Sequence, residues 1–160
     1  MIECYIGLGS NLKNPIQQVQ SAVSHLSNWR DLKLIKTSSL YQGAPLGPSD
    51  QPDFINAVAC IRTTLAAIQL LNQLQAIEQI HKRERTQRWG PRTLDLDLLL
   101  YGNQTILSAR LQVPHREMKQ RNFVLYPLFE IAPQLHLPDG QSLKALLSGC
   151  PMGTLERLII

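Results

Sequence analysis

Asp95 and Asp97 stand two residues apart in a segment where they alternate with Leu94, Leu96 and Leu98. On a β-strand, positions i and i+2 share a face, so the carboxylates stand side by side while the leucines pack the other way. Like charges held this close repel, and a cation between them relieves the repulsion. Two carboxylates about 7 Å apart along a strand can reach a pair of divalent metal ions roughly 3.5–4 Å apart, the spacing used in phosphoryl-type transfers. Directly before them runs Arg88-Trp89-Gly90-Pro91-Arg92-Thr93, a cationic loop stiffened by glycine and proline. The Asp pair alone would also suit a solvated strand face. Arginines beside it favour phosphate chemistry, because guanidinium forks bind phosphate oxygens in bidentate fashion while carboxylates hold Mg²⁺ against the same phosphates.

A third element, Arg110-Leu111-Gln112-Val113-Pro114-His115-Arg116 followed by Arg121 and Phe123, could converge on the same face. Nine of the sixteen basic residues lie between Lys82 and Arg121, a quarter of the chain. Clustering of this kind points to a polyanionic or polyphosphate partner. Hydrophobic content of 44% and charged content of 18% describe a globular chain, and 160 residues suffice for one well-buried core but not for two ordinary domains. We therefore expect a single domain over residues 1–160. No apolar run approaches the roughly 20 residues of a membrane span. The N-terminus lacks the basic start and cleavage site of a signal peptide, so a cytoplasmic protein is expected. Cys4, Cys60 and Cys150 share no metal-ligand spacing and read as free thiols, Cys4 and Cys60 within apolar segments.

The elements that must position these residues follow from periodicity. Ile2 to Leu8 reads as a strand, and Gly7-Leu8-Gly9-Ser10-Asn11 as a strand-to-helix turn, since the third glycine of a dinucleotide fingerprint is replaced by Leu12. Asn14-Pro15 reads as a helix start with a capping side chain, followed by Ile16, Val19, Val23 and Leu26 at helical spacing. Leu32 to Tyr41 contains a β-like segment, residues 43–52 form a turn-rich loop, and Phe54 to Arg62 alternates as a strand. Thr64 reads as the cap of a helix through Ala67, Leu70 or Leu71, Leu74 and Ile77. Leu94 to Leu100 is a fourth strand, with Tyr101-Gly102-Asn103 turning it into a hairpin partner at 104–106. Helices near 123–131 and 142–147 complete the order. Two strand-helix-strand units predict an α+β sandwich of ferredoxin-like type, an antiparallel sheet with helices packed on one face.

On these residues the chain resembles the hydroxymethyl-dihydropterin pyrophosphokinases of folate synthesis. The carrying segments are Gly9-Ser10-Asn11-Leu12, Tyr41 with Pro45 and Gly47, Gln51-Pro52-Asp53-Phe54-Ile55-Asn56, and Ile77-Glu78. They continue with Arg83, Arg85, the run Arg88 to Asp97, Val113-Pro114-His115 and Arg121-Asn122-Phe123. The resemblance covers nearly the whole chain. It implies transfer of pyrophosphate from ATP to a reduced pterin, release of AMP, and two Mg²⁺ ions held by Asp95 and Asp97. By the same resemblance Arg83 and Arg92 would hold the transferring group, and Arg85 with Arg121 the triphosphate. Gln75, Glu78, Trp89, Arg92, Leu98, Arg110, Gln112, His115 and Arg116 would line the nucleotide site. The pterin would stack between Phe54 and Phe123 near Trp89, with Asn56 and the backbone of Gly43, Ala44 and Leu46 reading its polar edge. A flat heteroaromatic gains from two aromatic faces, and an amide supplies both a donor and an acceptor.

Loops 43–52 and 82–92 are expected to be mobile active-site loops that close over the phosphates and exclude water. Three positions depart from the family pattern: Gly43 where Thr is usual, Lys82 where Gly is common, and Arg116 where an aromatic residue is common. We expect a monomer acting on ATP and a reduced pterin, with no nucleic acid and no membrane. Competing readings are a basic ferredoxin-like RNA-binding module and a metal-dependent nuclease. Only 6% of residues are aromatic, and no aromatic RNA-binding strand signature is present.

Overall fold

In the computed structural model, residues 1–45, 51–82 and 93–160 are described, Lys82 through its backbone only. The expected loop interiors at 46–50 and 83–92 therefore lie outside the described residues. The core begins with β1 (Ile2–Ser10), α1 (Pro15–Asn28), β2 (Leu32–Thr37), β3 (Tyr41–Gly43), β4 (Phe54–Thr63), α2 (Ala67–Lys82) and β5 (Asp95–Tyr101). It continues with β6 (Ile106–Leu107), β7 (Gln112–Val113), α3 (Asn122–Ile131), α4 (Leu143–Ser148) and β8 (Glu156–Arg157).

β1 and β4 are the long central strands and pair antiparallel along their whole length, Ile2 opposite Thr63 through Ser10 opposite Ile55. β5 flanks β1, while β2 and then β3 occupy successive stretches of the other edge of β4, and β8 adds to β3. The order β5-β1-β4-β2, with α1 and α2 as the connecting helices, is the expected α+β ferredoxin-like arrangement. Alternation divides each strand between two cores. Ile6, Leu8, Ala57, Leu96 and Leu98 face α1 and α2, where Val19, Leu26, Leu70 and Leu74 are fully buried.

The opposite face was expected to lack helices, and it carries one. Tyr5, Val58, Cys60, Leu99 and Leu100 pack against Val124, Leu125 and Leu128 of α3, with Leu143 of α4 behind them. Consecutive Leu99 and Leu100 can both face α3 because the β1–β5 register shifts between Tyr5 and Ile6. That bulge also turns the Leu99 carbonyl outward to accept the His115 N–H at 2.9 Å. One end of the sheet's second face is thus covered, and the end that bears Asp95 and Asp97 lines a cavity.

Four local expectations are corrected. Gly7 to Ser10 is strand, not turn, and the turn falls at Asn11 to Asn14. Asn14 makes no side-chain cap; it starts α1 from a left-handed conformation (φ 60°), which asparagine tolerates better than most residues. Thr64 does not cap α2. Ala66 does, its carbonyl taking the Leu70 N–H and its own N–H donating to Oε1 of Gln69, the return half of a capping box. The hairpin partner of β6 is β7, not β5, because the Ser108–Leu111 turn (Ser108 N–H to Leu111 O, 2.9 Å) folds the chain back on itself.

The three cysteines are buried and free. Burial pushes the Cys60 thiol up to about 11 and Cys4 to about 12, so neither is nucleophilic near neutrality. Between α1 and α2, His81 Nδ1 lies 2.5 Å from Gln18 Oε1 and its ring meets His25 edge-on at 5.5 Å. Burial and then the nearby His25 hold its pKa below the ordinary 6.5. The unfolded chain therefore takes up a proton that the folded chain resists, and stability falls as pH drops below about 6.5. We expect the unfolding temperature of wild type to fall between pH 7.5 and 5.5, and His81→Gln to flatten that slope. Parallel pH profiles for the two proteins would contradict this.

Candidate active site

The end of the sheet that bears Asp95 and Asp97 is one wall of a cavity of about 460 Å³. β1 contributes Gly7 and Gly9, β4 Phe54 and Asn56, and β5 Asp95 and Asp97, all on the face that alternation turns away from α1 and α2. β3 adds Gly43 with Ala44 after it, and the N-terminus of α3 adds Arg121, Asn122 and Phe123. Eight of the expected site residues thus meet in one cleft: Gly43, Ala44, Phe54, Asn56, Asp95, Asp97, Arg121 and Phe123.

Gly9 of β1 is explained by this cleft. Gly9 lies opposite Asn56, and a Cβ on Gly9 would fall 2.9 Å from Asn56 Oδ1. Asn56 is only 6% exposed, so its amide is held at the cleft floor because residue 9 has no side chain. Gly9→Ala should displace that amide, raising the KM for a heteroaromatic substrate roughly tenfold, the equivalent of one lost hydrogen bond. An unchanged KM in the folded variant would show that Asn56 does not read the ligand. The start of β4 is fixed by Asn11, whose Nδ2 donates to Gln51 Oε1 at 3.3 Å and to Pro52 O at 3.2 Å.

Arg121 is held from two directions. A guanidinium nitrogen pairs with Glu117 one turn earlier, and its central carbon lies 5.5 Å from the Phe123 ring centre, in cation–π range. Its Nε is buried with no hydrogen-bond partner among the described residues. A buried donor left unpaired is costly, and the residue also lines the cleft, where its charge would meet an anionic ligand. Asp95 and Asp97 are half-buried, and no group of three or more His, Cys, Asp or Glu side chains able to hold a metal occurs among the described residues. Two hard carboxylates fit Mg²⁺, which takes one or two carboxylates and completes its shell with phosphate oxygens and water.

A second group of expected residues flanks the outer edge of β5. Arg110 donates to Gln75 Oε1 at 3.1 Å and to Asn72 Oδ1 at 2.7 Å, joining the β6–β7 hairpin to α2. Glu78 accepts the Leu96 N–H at 2.8 Å and so anchors the Asp-bearing strand to α2. His115 Nδ1 accepts the Glu117 N–H at 3.2 Å, leaving Nε2 to carry the proton of the neutral ring and donate it to a ligand. Gln112 and Arg116 are exposed nearby in sequence, while Leu98 is buried in the α1–α2 core, in the cluster that holds Leu111 and Val113. None of these lines the cleft. Leu46, Arg83, Arg85, Trp89 and Arg92 lie outside the described residues.

The cleft also has a wall that sequence reasoning missed, Gly153, Thr154 and Leu155. These residues follow the last element read from the sequence and are brought to the site by the pairing of β8 with β3. No local pattern announces that pairing.

Comparison with known proteins places this geometry. The 7,8-dihydro-6-hydroxymethylpterin-pyrophosphokinase (HPPK) family matches residues 5–133. A 2-amino-4-hydroxy-6-hydroxymethyldihydropteridine pyrophosphokinase of Pseudomonas aeruginosa is 51% identical over 154 residues, 96% of this chain and 95% of its own. The protein of that name in Haemophilus influenzae is 51% identical over 147 residues, covering 92% of each chain. Among solved structures, an HPPK-DHPS protein crystallised with substrates superposes with a TM-score of 0.79 over 99% of this chain and 47% of that one. At 13% identity that likeness shows the fold alone, and this chain spans about half of the larger protein. With half its sequence shared with relatives of similar length and the family matched across the Asp-bearing strand and the cleft residues up to Val124, the chain belongs to the HPPK family of pyrophosphokinases.

Proposed function

We propose that the cleft over Asp95 and Asp97 is where ATP and 6-hydroxymethyl-7,8-dihydropterin meet. The chain is a pyrophosphokinase of folate synthesis, a transferase that moves pyrophosphate from ATP to the pterin. The observation that carries the site assignment is the convergence of two carboxylates, two phenylalanines, a buried amide and an arginine on one 460 Å³ cavity. The hydroxymethyl oxygen attacks the β-phosphorus of ATP, the bond from that phosphorus to the α-bridging oxygen breaks, and AMP leaves. Phe54 and Phe123 supply faces for the ring, and Asn56 a donor and an acceptor for its polar edge. Arg121 meets the phosphates with charge already in place, which lowers the cost of negative charge developing in transfer. Asp95 and Asp97 would hold Mg²⁺, one ion or two, and the metal would neutralise phosphate charge and align the reacting groups.

The β5 edge is the nucleotide side of the site in this reading. Arg110, Gln75, Gln112, His115 and Arg116 are assigned to it, and the resemblance alone assigns Arg83, Arg85, Trp89, Arg92 and Leu46 to the two subsites. The chain acts as a cytoplasmic monomer; among the described residues no helix is long and apolar enough to cross a membrane. The test is nucleotide product with Mg²⁺, with and without the pterin. Pterin-dependent AMP supports the reading. ADP, or AMP formed equally without pterin, contradicts it.

A further inference from the structure

Building on the pyrophosphokinase reading, we propose that Thr154 and Leu155 form a specificity-determining wall of the pterin subsite, paired against Gly43 and Ala44. The segment is seated by α3. Asn122 Nδ2 donates to Met152 O at 2.9 Å and Pro151 O at 3.4 Å, and Tyr126 Oη donates to Cys150 O at 2.7 Å. One turn further on, Glu130 lies 3.8 Å from Arg157. Positions 122, 126 and 130 are spaced i, i+4, i+8 and share one helix face, so a single stripe of α3 holds the segment from 150 to 157. The chain turns into the cleft at Gly153, whose φ of +58° is a left-handed conformation suited to glycine.

Pairing of Tyr41 with Arg157 and Gln42 with Glu156 then brings Leu155 level with Gly43. A Cβ on Gly43 would fall 3.1 Å from Leu155 Cδ1, closer than ordinary contact. Leu155 is 6% exposed and fills the space that a side chain at 43 would otherwise occupy. Beside it, Thr154 Oγ1 accepts the Ala44 N–H at 3.4 Å, a long bond that a ligand carbonyl could displace. The wall therefore combines fixed apolar bulk with an adjustable hydroxyl at the position where the ring's edge must be read. Width of the cleft at this point is set jointly by residues 43 and 155, and hydrogen-bond demand by residue 154.

The test is the Kd of 6-hydroxymethyl-dihydropterin by calorimetry, with Mg²⁺ and a non-hydrolysable ATP analogue present, for Leu155→Ala, Leu155→Val, Thr154→Val, Gly43→Ala and the Gly43→Ala/Leu155→Ala pair. Because binding is read directly, the result does not depend on turnover. Leu155→Ala and Gly43→Ala should each weaken pterin roughly tenfold. The double variant should recover most of that loss, since alanine at 43 occupies the space vacated at 155. Thr154→Val should shift the Kd several-fold at unchanged melting temperature, and analogue affinity should stay within twofold throughout. Leu155→Val is the fallback should Leu155→Ala not fold, with a smaller shift in the same direction. Unchanged pterin affinity in folded variants, or strictly additive losses in the pair, would overturn the proposal. Wild type that binds pterin but yields no AMP would instead contradict the activity; wild type that binds no pterin would overturn both.

Discussion

Asp97→Asn should abolish pyrophosphoryl transfer while leaving the fold unchanged, with kcat lower by on the order of 10³-fold or more. Removing one well-placed neutral donor from an active site costs about 10²–10³-fold, and a carboxylate that holds a metal against transferring phosphates has more to lose. Asn keeps the size of Asp and removes only the charge. Leu96 and Leu98, the residues of β5 that carry the α1–α2 packing, point the other way and are untouched. The melting temperature should therefore move by no more than a degree or two. The check is AMP release at saturating ATP and pterin, beside thermal unfolding of the same preparation. Turnover within tenfold of wild type would remove the carboxylate pair from the mechanism.

Glu130→Gln should have the largest effect on stability among the polar substitutions considered, about 2–3 kcal/mol, or roughly 5–10 °C for a chain of this size. The Glu130 carboxylate accepts the Tyr41 hydroxyl at 2.6 Å, the Ser39 N–H at 2.9 Å and the Ser39 hydroxyl at 3.1 Å, with Arg157 alongside at 3.8 Å. All these neighbours are donors. An amide would present its own N–H₂ to one of them and leave that donor unmatched. Burial works to raise the Glu130 pKa, but the hydrogen bonds from Tyr41 and Ser39 outweigh it and hold the carboxylate below its usual 4.5. A depressed folded pKa means the stabilisation is present above about pH 4.5 and is lost as pH falls through the folded value. Wild type and Glu130→Gln should accordingly differ at pH 7 and converge in acid. A difference below about 0.5 kcal/mol at pH 7, within the range of ordinary surface substitutions, would show that the cluster is not a clamp.

That clamp explains why the site depends on residues far from it. Glu130 sits on α3 two turns after Phe123, and its partners are Ser39 in the break between β2 and β3, Tyr41 at the start of β3 and Arg157 in β8. Through it the phenylalanine wall, the Gly43–Ala44 edge and the C-terminal wall share one support. Displacement of any of the three changes the width of the cleft.

The legible part of this fold was the part written in local periodicity. The alternation of Asp95 and Asp97 with Leu96 and Leu98 told which way each side chain would face, and β5 keeps that division. Helical spacing found α1, α2 and α3 to within a few residues. Features that needed a partner distant in sequence were not legible. Gly7 and Gly9 read as a turn because glycine usually marks one; the role of Gly9 is to let Asn56 approach β1 closely, which depends on the register of a strand nearly 50 residues away. α3 has no signature for the sheet face it covers. β8 is two residues long and takes its place by adding to β3. The identity of the cleft's polar residues was readable from the resemblance, and their convergence is a property of the sheet.

The most direct test of the central claim is the fate of ATP labelled with ³²P at the β-phosphate, incubated with Mg²⁺ and 6-hydroxymethyl-dihydropterin and separated into nucleotide and pterin products. Attack at the β-phosphorus predicts that the label leaves with the pterin as its diphosphate and that AMP is unlabelled. Label retained in ADP, with a pterin monophosphate formed beside it, would mean that the chain transfers a single phosphoryl group and that the account of the cleft is wrong.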